Sequence, residues 1–487
     1  MKIYPKAAGK GNALGIANEI HEQLNKSAFG DLMVITPTPI VQVLGTNGLT
    51  EKLLQKTSGS GTISVTNGMF KVSTGATLYS YAALLSQIVP YKGRFACRCA
   101  ITGKFSTPVA LTQQIVGFST ATDRLAFGYN GLTFGIWYDH HGANGVWRIN
   151  ITTGATGAGT ASVTLNGTLY SIPVTAGTVQ HTAYQIAAYL DANAPGYLVD
   201  AVDDDVRIMY EVAQPATGAY TFSSTGGVVG TMSVVTAGVR AASTHIAQED
   251  WDDPCEWLDP QKMNLYTVQY EYVGGGKIQF IVESPNGGAI LAHTIQYVNR
   301  NIQPSISDPN MRVGIVVASV GGTSDVSLES ACMTAFIDGV NVFTHEPHVL
   351  EGSLASAGTT PTNILTIRNA ITKNGRDNRI KVKIGRADAM TTGVKGAFVR
   401  FLKNGTPSSD MIFYDYDIDH SVIQYSTSAV QVTGEAVGTI MMGPTTNSAS
   451  VEVDILLEPG DYVSAVGYVV SGSASPIYLT LTIQEDM

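Results

Sequence analysis

The sequence predicts a mainly β protein: a large β-sandwich that carries a small α+β insert, followed by a second, jelly-roll-like β-sandwich. Three observations lead there. Only two stretches of the 487 residues have helical periodicity, and most of the remainder is short runs of alternating apolar and polar residues broken by Gly, Ser and Asn. Charged residues make up 14% of the chain, against about 25% in an ordinary soluble domain. Glycine contributes 51 residues, which supplies the turns that many short strands need. Low charge and ample apolar content exclude a disordered chain. No window approaches the roughly 18 to 20 apolar residues of a membrane helix, so no membrane insertion is expected.

The elements follow in order. Residues 12–27 place Leu14, Ala17, Ile20 and Leu24 on an approximate helical stripe, and Pro37 and Pro39 then impose extended backbone. Residues 1–45 therefore read as a helix and extended docking arm. Residues 46–155 and 243–345 read as the central sandwich. Within it, Cys97 and Cys99 share one strand face with Arg98 on the other, and Tyr129-Asn130-Gly131 marks a hairpin. Residues 156–242 form the insert, entered through the Gly-rich GATGAGT at 154–160. It has a hairpin at Asn166-Gly167 and a helix with Ala183, Ile186, Ala187 and Leu190 at helical spacing. Residues 350–487 carry clean strands such as NRIKVKIGRA and PIYLTLTI and read as the jelly-roll-like domain.

Charge and cysteine content narrow the function classes. The net charge of −10 argues against nucleic acid as a partner. The start of the chain has lysines but no apolar core behind them, so a secretory signal is not expected and synthesis in a cytoplasm is. Four cysteines, Cys97, Cys99, Cys255 and Cys332, are too few for a disulfide scaffold and read as reduced, mostly buried thiols. The average charge hides an asymmetry. Ten Lys or Arg residues lie between Arg368 and Lys403, opposed only by Asp377 and Asp388, while Glu249, Asp250, Asp252, Asp253, Glu256 and Asp259 form an acidic seam.

Several segments together resemble a family of structural proteins from the virions of tailed phages and large DNA viruses. Ser27-Ala28-Phe29-Gly30-Asp31-Leu32-Met33-Val34, followed by Thr36-Pro37, is similar to that family's DAFGRLRVSxP signature, with Ser27, Asp31 and Met33 departing from it and removing both arginines. Three further stretches fit the family's order: Phe127 to Gly131 with Phe134 to Ile136, Leu258 to Tyr266 with Gln269 to Tyr272, and Leu457 to Asp461. The insert segment from Val163 to Leu190 is similar to a small module recurrent in phage tail and sheath proteins. The resemblance implies a virion component with a concanavalin-like sandwich, built into fibre, tail or head decoration. It implies partnership with other virion proteins and a homo-oligomer, preferably a trimer, with a host cell-surface glycan as a further partner.

Several clusters contain residue types that can carry chemistry. Adjacent His140 and His141 point to opposite strand faces and so do not share a metal ion; with Asp139 they read as a hairpin turn. The acidic seam lacks EF-hand spacing and reads as a solvated loop or a subunit contact. Asp203-Asp204-Asp205 reads as a turn. Asp415, Asp417 and Asp419 alternate and are expected on one strand face, countered by the basic stretch. Arg379, Lys381 and Lys383 are expected on an exposed face, available to an acidic neighbour or an anionic glycan. No nucleophile elbow, zinc-protease or P-loop motif is present, so no enzyme, cofactor or metal site is expected. The favoured function is that of a virion structural protein acting by assembly. The alternative is a carbohydrate-binding adhesin that stacks sugars on Trp137, Tyr138, Trp147, Trp251 or Trp257, with a polysaccharide-cleaving enzyme as a more distant third.

Overall fold

The computed structural model describes residues 37–50, 52–93, 95–215, 218–339, 347–392, 396–443, 445–471 and 474–486. The helix expected at 12–27 and the signature at 27–36 lie outside these. The chain divides into two compact units, Met1–His140 with Ser243–Asn341, and His141–Ala242 with Val342–Met487.

The first unit is the expected β-sandwich, built from a nine-stranded and a seven-stranded antiparallel sheet. In the nine-stranded sheet, Asn264–Tyr270 lies between Cys97–Phe105 and Ile278–Glu283. In the seven-stranded sheet, Thr112–Ser119 lies between Met311–Ser319 and Arg124–Asn130. Alternation turns Phe105, Tyr266 and Phe280 inward to meet Phe127 and Phe134. Their rings pack mostly edge to face, Phe105 and Tyr266 at 5.8 Å and Phe127 and Phe280 at 5.5 Å. Each such pair adds about 0.5–1.5 kcal/mol beyond its area burial.

Cys97 and Cys99 share the inner face as expected, with Arg98 on the other. Burial pushes the Cys97 thiol up to about 12 and raises that of Cys99 as well. The expected hairpin joins Arg124–Asn130 to Thr133–His140, with Gly131 at φ +59°. One expectation is corrected here. Thr38–Leu44, expected in a docking arm, is a strand of this sandwich paired with Cys332–Ile337, and Val41 and Val43 enter the core. Pro39 is tolerated because the strand pairs on one side only and the register shifts between Pro39 and Val41.

In the second unit the C-terminal residues form a true jelly roll. Its eight long strands are His348–Ala357, Thr362–Asn369, Lys381–Thr391, Ala397–Lys403, Ala436–Met442, Ser448–Leu457, Tyr462–Val469 and Ser475–Asp486. Taken in chain order, one sheet runs first, eighth, third, sixth, and the other runs second, seventh, fourth, fifth. The insert contributes a four-stranded sheet, a three-stranded sheet and the helix Val179–Asn193. Thr178 caps that helix by accepting from the His181 amide at 3.2 Å, and Ala183, Ile186, Ala187 and Leu190 are its buried face. Asn166 and Gly167, both at positive φ, make the expected hairpin turn. The insert begins earlier than expected. Val146–Thr153, read from the sequence as sandwich, pairs with Asp205–Tyr210 and Val229–Thr236 of the insert, and Trp147, Ile149 and Ile151 join its core.

The insert docks on the jelly roll through charge. The excursion between the fourth and fifth jelly-roll strands carries Asp410, Phe413 and Asp415 to the insert. There Asp410 pairs with His181, the Phe413 carbonyl accepts from the Asp203 amide at 2.8 Å, and Asp415 takes a two-pronged pair from Arg207. Arg368 is half-buried over the Phe413 ring, with Cζ 3.8 Å from its centroid. It donates to Gln424 at 2.7 Å and to the Ala201 carbonyl at 2.9 Å, and lies 3.6 Å from the Asp200 carboxylate. Burial raises the Asp200 carboxyl above its ordinary value, and Arg368 and Arg207 oppose that rise.

Two outcomes follow from this packing. Arg368→Met strands the Asp200 carboxylate and lowers the unfolding free energy of the second unit by about 3–5 kcal/mol in chemical denaturation, and pairing it with Asp200→Leu restores most of that loss. Cys97 and Cys99 in the native protein react with a maleimide at pH 8 at least about a hundredfold more slowly than in the unfolded chain, as measured by mass spectrometry of the labelled peptides.

Candidate functional site

The aromatic candidates separate sharply by burial. Trp137, Trp147 and Trp251 are 4%, 2% and 4% exposed, and Tyr138 is buried as well, whereas Trp257 is 38% exposed. The buried four are core residues. Tyr138 donates to the Ser305 carbonyl, Trp251 stands edge-on to Phe127, and Trp147 stacks on Tyr220. Trp257 opens onto a cleft of about 470 Å³ in the first unit, lined also by Asp259, Lys262, Met263, Asn264, Glu283 and the Ser284-Pro285 turn.

Strand alternation builds one wall. Ile101, Tyr266 and Val282 point into the core, so their neighbours Thr102, Leu265 and Glu283 occupy the opposite face of the nine-stranded sheet. Thr102 Oγ1 accepts from the Ala331 and Cys332 amides at 2.8 and 3.0 Å, which fixes that strand against the next. The other wall is the loop from Trp257 to Asn264, held by its own polar groups. Asp259 accepts from the Gln261 amide at 3.0 Å, and Asn264 Nδ2 donates to the Asp259 and Lys262 carbonyls at 2.8 and 2.9 Å. Pro260 accepts from the Phe105 amide at 3.0 Å, tying the loop to the sheet. The rim turn is closed by Ser284, whose amide donates to Gly288 at 2.8 Å and whose Oγ accepts from Asn286 at 3.1 Å.

The polar groups are unequally committed. Lys262 Nζ lies 3.5 Å from Asp259 Oδ2. Glu283, at the exposed end of its strand, and the Trp257 indole N–H have no hydrogen-bond or ion-pair partner among the described residues. The cleft therefore combines a partly exposed indole, a carboxylate and an N–H donor that have no partner among the described residues, and a prefolded loop. Beneath it, burial raises the Tyr266 hydroxyl well above its ordinary range, so it stays protonated.

The other candidate clusters are structural. Asp139 pairs with Arg124 at 3.4 Å and accepts from Ser243 at 2.5 Å, while the His140 ring stacks on Tyr138. Asp203 and Asp204 make the two-residue turn between Tyr197–Val202 and Asp205–Tyr210, with Asp203 at φ +52° and Asp205 bound by Arg148. In the acidic seam, Asp252 accepts from the Thr294 amide at 2.8 Å and Asp253 from the Cys255 amide at 3.0 Å. No three His, Cys, Asp or Glu side chains converge to hold a metal ion among the described residues.

Two expectations are corrected. Asp415, Asp417 and Asp419 share no strand face, because the strand ends at Asp415 and Asp417 accepts from the Asp419 and His420 amides in a turn. The partner of Asp415 is Arg207 of the insert rather than the basic stretch. Arg379 and Lys381 are buried instead of exposed, and Lys381 pairs with Glu458 at 3.0 Å and Lys383 with Asp454 at 2.6 Å. Sequence reasoning missed Glu283, Ser284 and Pro285. The alternation in KIQFIVES before Pro-Asn-Gly-Gly was the signal that placed Glu283 on the outer face beside a turn.

No family model and no curated protein matches this chain. Among solved structures it is similar to an endo-1,3-β-glucanase from Streptomyces sioyaensis, at 10% identity and a TM-score of 0.30 over 62% of this chain and 96% of the other. It is similar also to lectin II from Ulex europaeus, at 7% identity and 0.23 over 62% and 99%. A third is the binding domain of botulinum neurotoxin DC, at 8% and 0.26 over 90% and 98%.

Limited oxidation by N-bromosuccinimide modifies Trp257 before the other three tryptophans, and Trp257→Phe removes the fast phase of fluorescence loss.

Proposed function

We propose that this chain is an attachment component of a virus particle that binds a cell-surface saccharide in the Trp257 cleft. The observation that carries the reading is Trp257 itself, the one tryptophan held open, set between a prefolded polar loop and a free carboxylate. An indole face stacks on the apolar C–H face of a pyranose, and carboxylate oxygens accept its hydroxyl protons. A cleft of about 470 Å³ falls in the size range of small-ligand sites. The virion part of the reading is supported by the sequence resemblance, and the stretch Leu258 to Tyr266 that carries part of it supplies one wall of the cleft.

The reading is one of binding without cleavage, by a homo-oligomer, preferably a trimer, that assembles with other virion proteins. Saccharide binding on a glycan array is saturable, and Trp257→Ala weakens it at least about tenfold with an unchanged far-ultraviolet circular dichroism spectrum. Incubation with a bound polysaccharide releases no reducing ends. Absence of binding to every glycan on the array sinks the saccharide reading, and release of reducing ends replaces it with an enzyme.

A further inference from the structure

We infer that the Trp257 cleft selects uncharged pyranoses and rejects sugars that carry a carboxylate, sulfate or phosphate; this rests on the saccharide reading above. The charges on its walls are Asp259, Glu283 and Lys262. Lys262 is the one cation lining the cleft among the described residues, and its ammonium lies 3.5 Å from Asp259, the other acid of that loop. Glu283 is left as the uncompensated charge, exposed and without a partner among the described residues.

Hydrogen-bond chemistry points the same way as charge. Ionised carboxylates accept and do not donate. A neutral pyranose offers them a ring of hydroxyl donors, whereas an anionic substituent offers further acceptors and meets the like charge of Glu283. The indole face of Trp257 also carries the negative side of the ring quadrupole, which disfavours an anion lying over it. Charge, donor pattern and ring electrostatics thus exclude the same class of ligand.

The test uses the full chain and a glycan array in matched pairs, each neutral core beside its counterpart: N-acetyllactosamine with its sialylated form, a galactan oligosaccharide with its sulfated form, and a glucan oligosaccharide with its uronate form. At low salt the neutral member binds at least about tenfold more tightly, and the ratio shrinks as salt is raised. Glu283→Gln narrows the ratio by improving the anionic member, and Glu283→Lys reverses the preference. Equal or tighter binding of the anionic members by the unaltered chain overturns the selectivity and leaves the saccharide reading standing. An unchanged ratio in Glu283→Lys, with binding still lost in Trp257→Ala, does the same. No binding of either member of any pair overturns both.

Discussion

The fixed alternation of the strands around Tyr266 sets the core and the cleft together. Tyr266 sits among Phe105, Phe127 and Phe134, and burying a ring of this size contributes on the order of 1.5–3 kcal/mol. A one-residue slip of Asn264–Tyr270 would bring Leu265 and Thr267 inward and put Tyr266 and Val268 into water. The register is pinned on both sides, by Cys97–Phe105 and by Ile278–Glu283. Leu265, Thr102 and Glu283 are therefore held on the outer face by the same energy that holds the aromatic cluster inside. The cleft inherits a rigid wall, and only its loop side depends on local hydrogen bonds.

The second unit solves a different problem, which is how to keep cations beside apolar strand faces. Jelly-roll order lays the third strand against the sixth, so Lys381 and Lys383 meet Glu458 and Asp454 from a segment some seventy residues further on. Lys403 finds Asp461 at 2.9 Å in the same way. Arg368 is a stricter case, because its partner Asp200 belongs to the insert and burial disfavours both charges. Its hydrogen bonds to Gln424 and the Ala201 carbonyl and its stacking on Phe413 meet part of that cost. The insert is consequently seated by a shared cluster in which Asp200 faces both Arg368 and Arg207 and Asp415 takes the Arg207 pair.

Much of the fold was legible because period-2 alternation and turn residues are local signals. The Cys97–Cys99 face, the Asn166-Gly167 hairpin and the helix face of Ala183 to Leu190 each lie within a few residues of the sequence feature that announces them. What failed was non-local. The strand Val146–Thr153 has the same apolar texture whichever sheet it joins, and its choice is made by partners about sixty and eighty residues away. The basic stretch was counted as a surplus because its acids lie at Asp454, Glu458 and Asp461, and adjacency across a sheet cannot be read from adjacency in the chain. Trp257 stood among five aromatic candidates, and burial alone distinguished it.

The low charge of the chain is distributed unevenly between its interior and the cleft. With charged residues at 14%, much of the ionic content is spent on internal pairs such as Arg207 with Asp415 and Lys381 with Glu458. At the cleft, by contrast, the Glu283 carboxylate is exposed and has no partner among the described residues. Exposed apolar area costs about 25 cal/mol per Å² relative to burial, and a free Trp257 surface is unfavourable until something covers it. The loop that presents it is braced at Asp259, Asn264 and Pro260 and does not fold over the ring. A protein that buries its other three tryptophans almost completely thus holds the fourth open on a fixed frame, and an open frame of that kind lowers the ordering cost of binding.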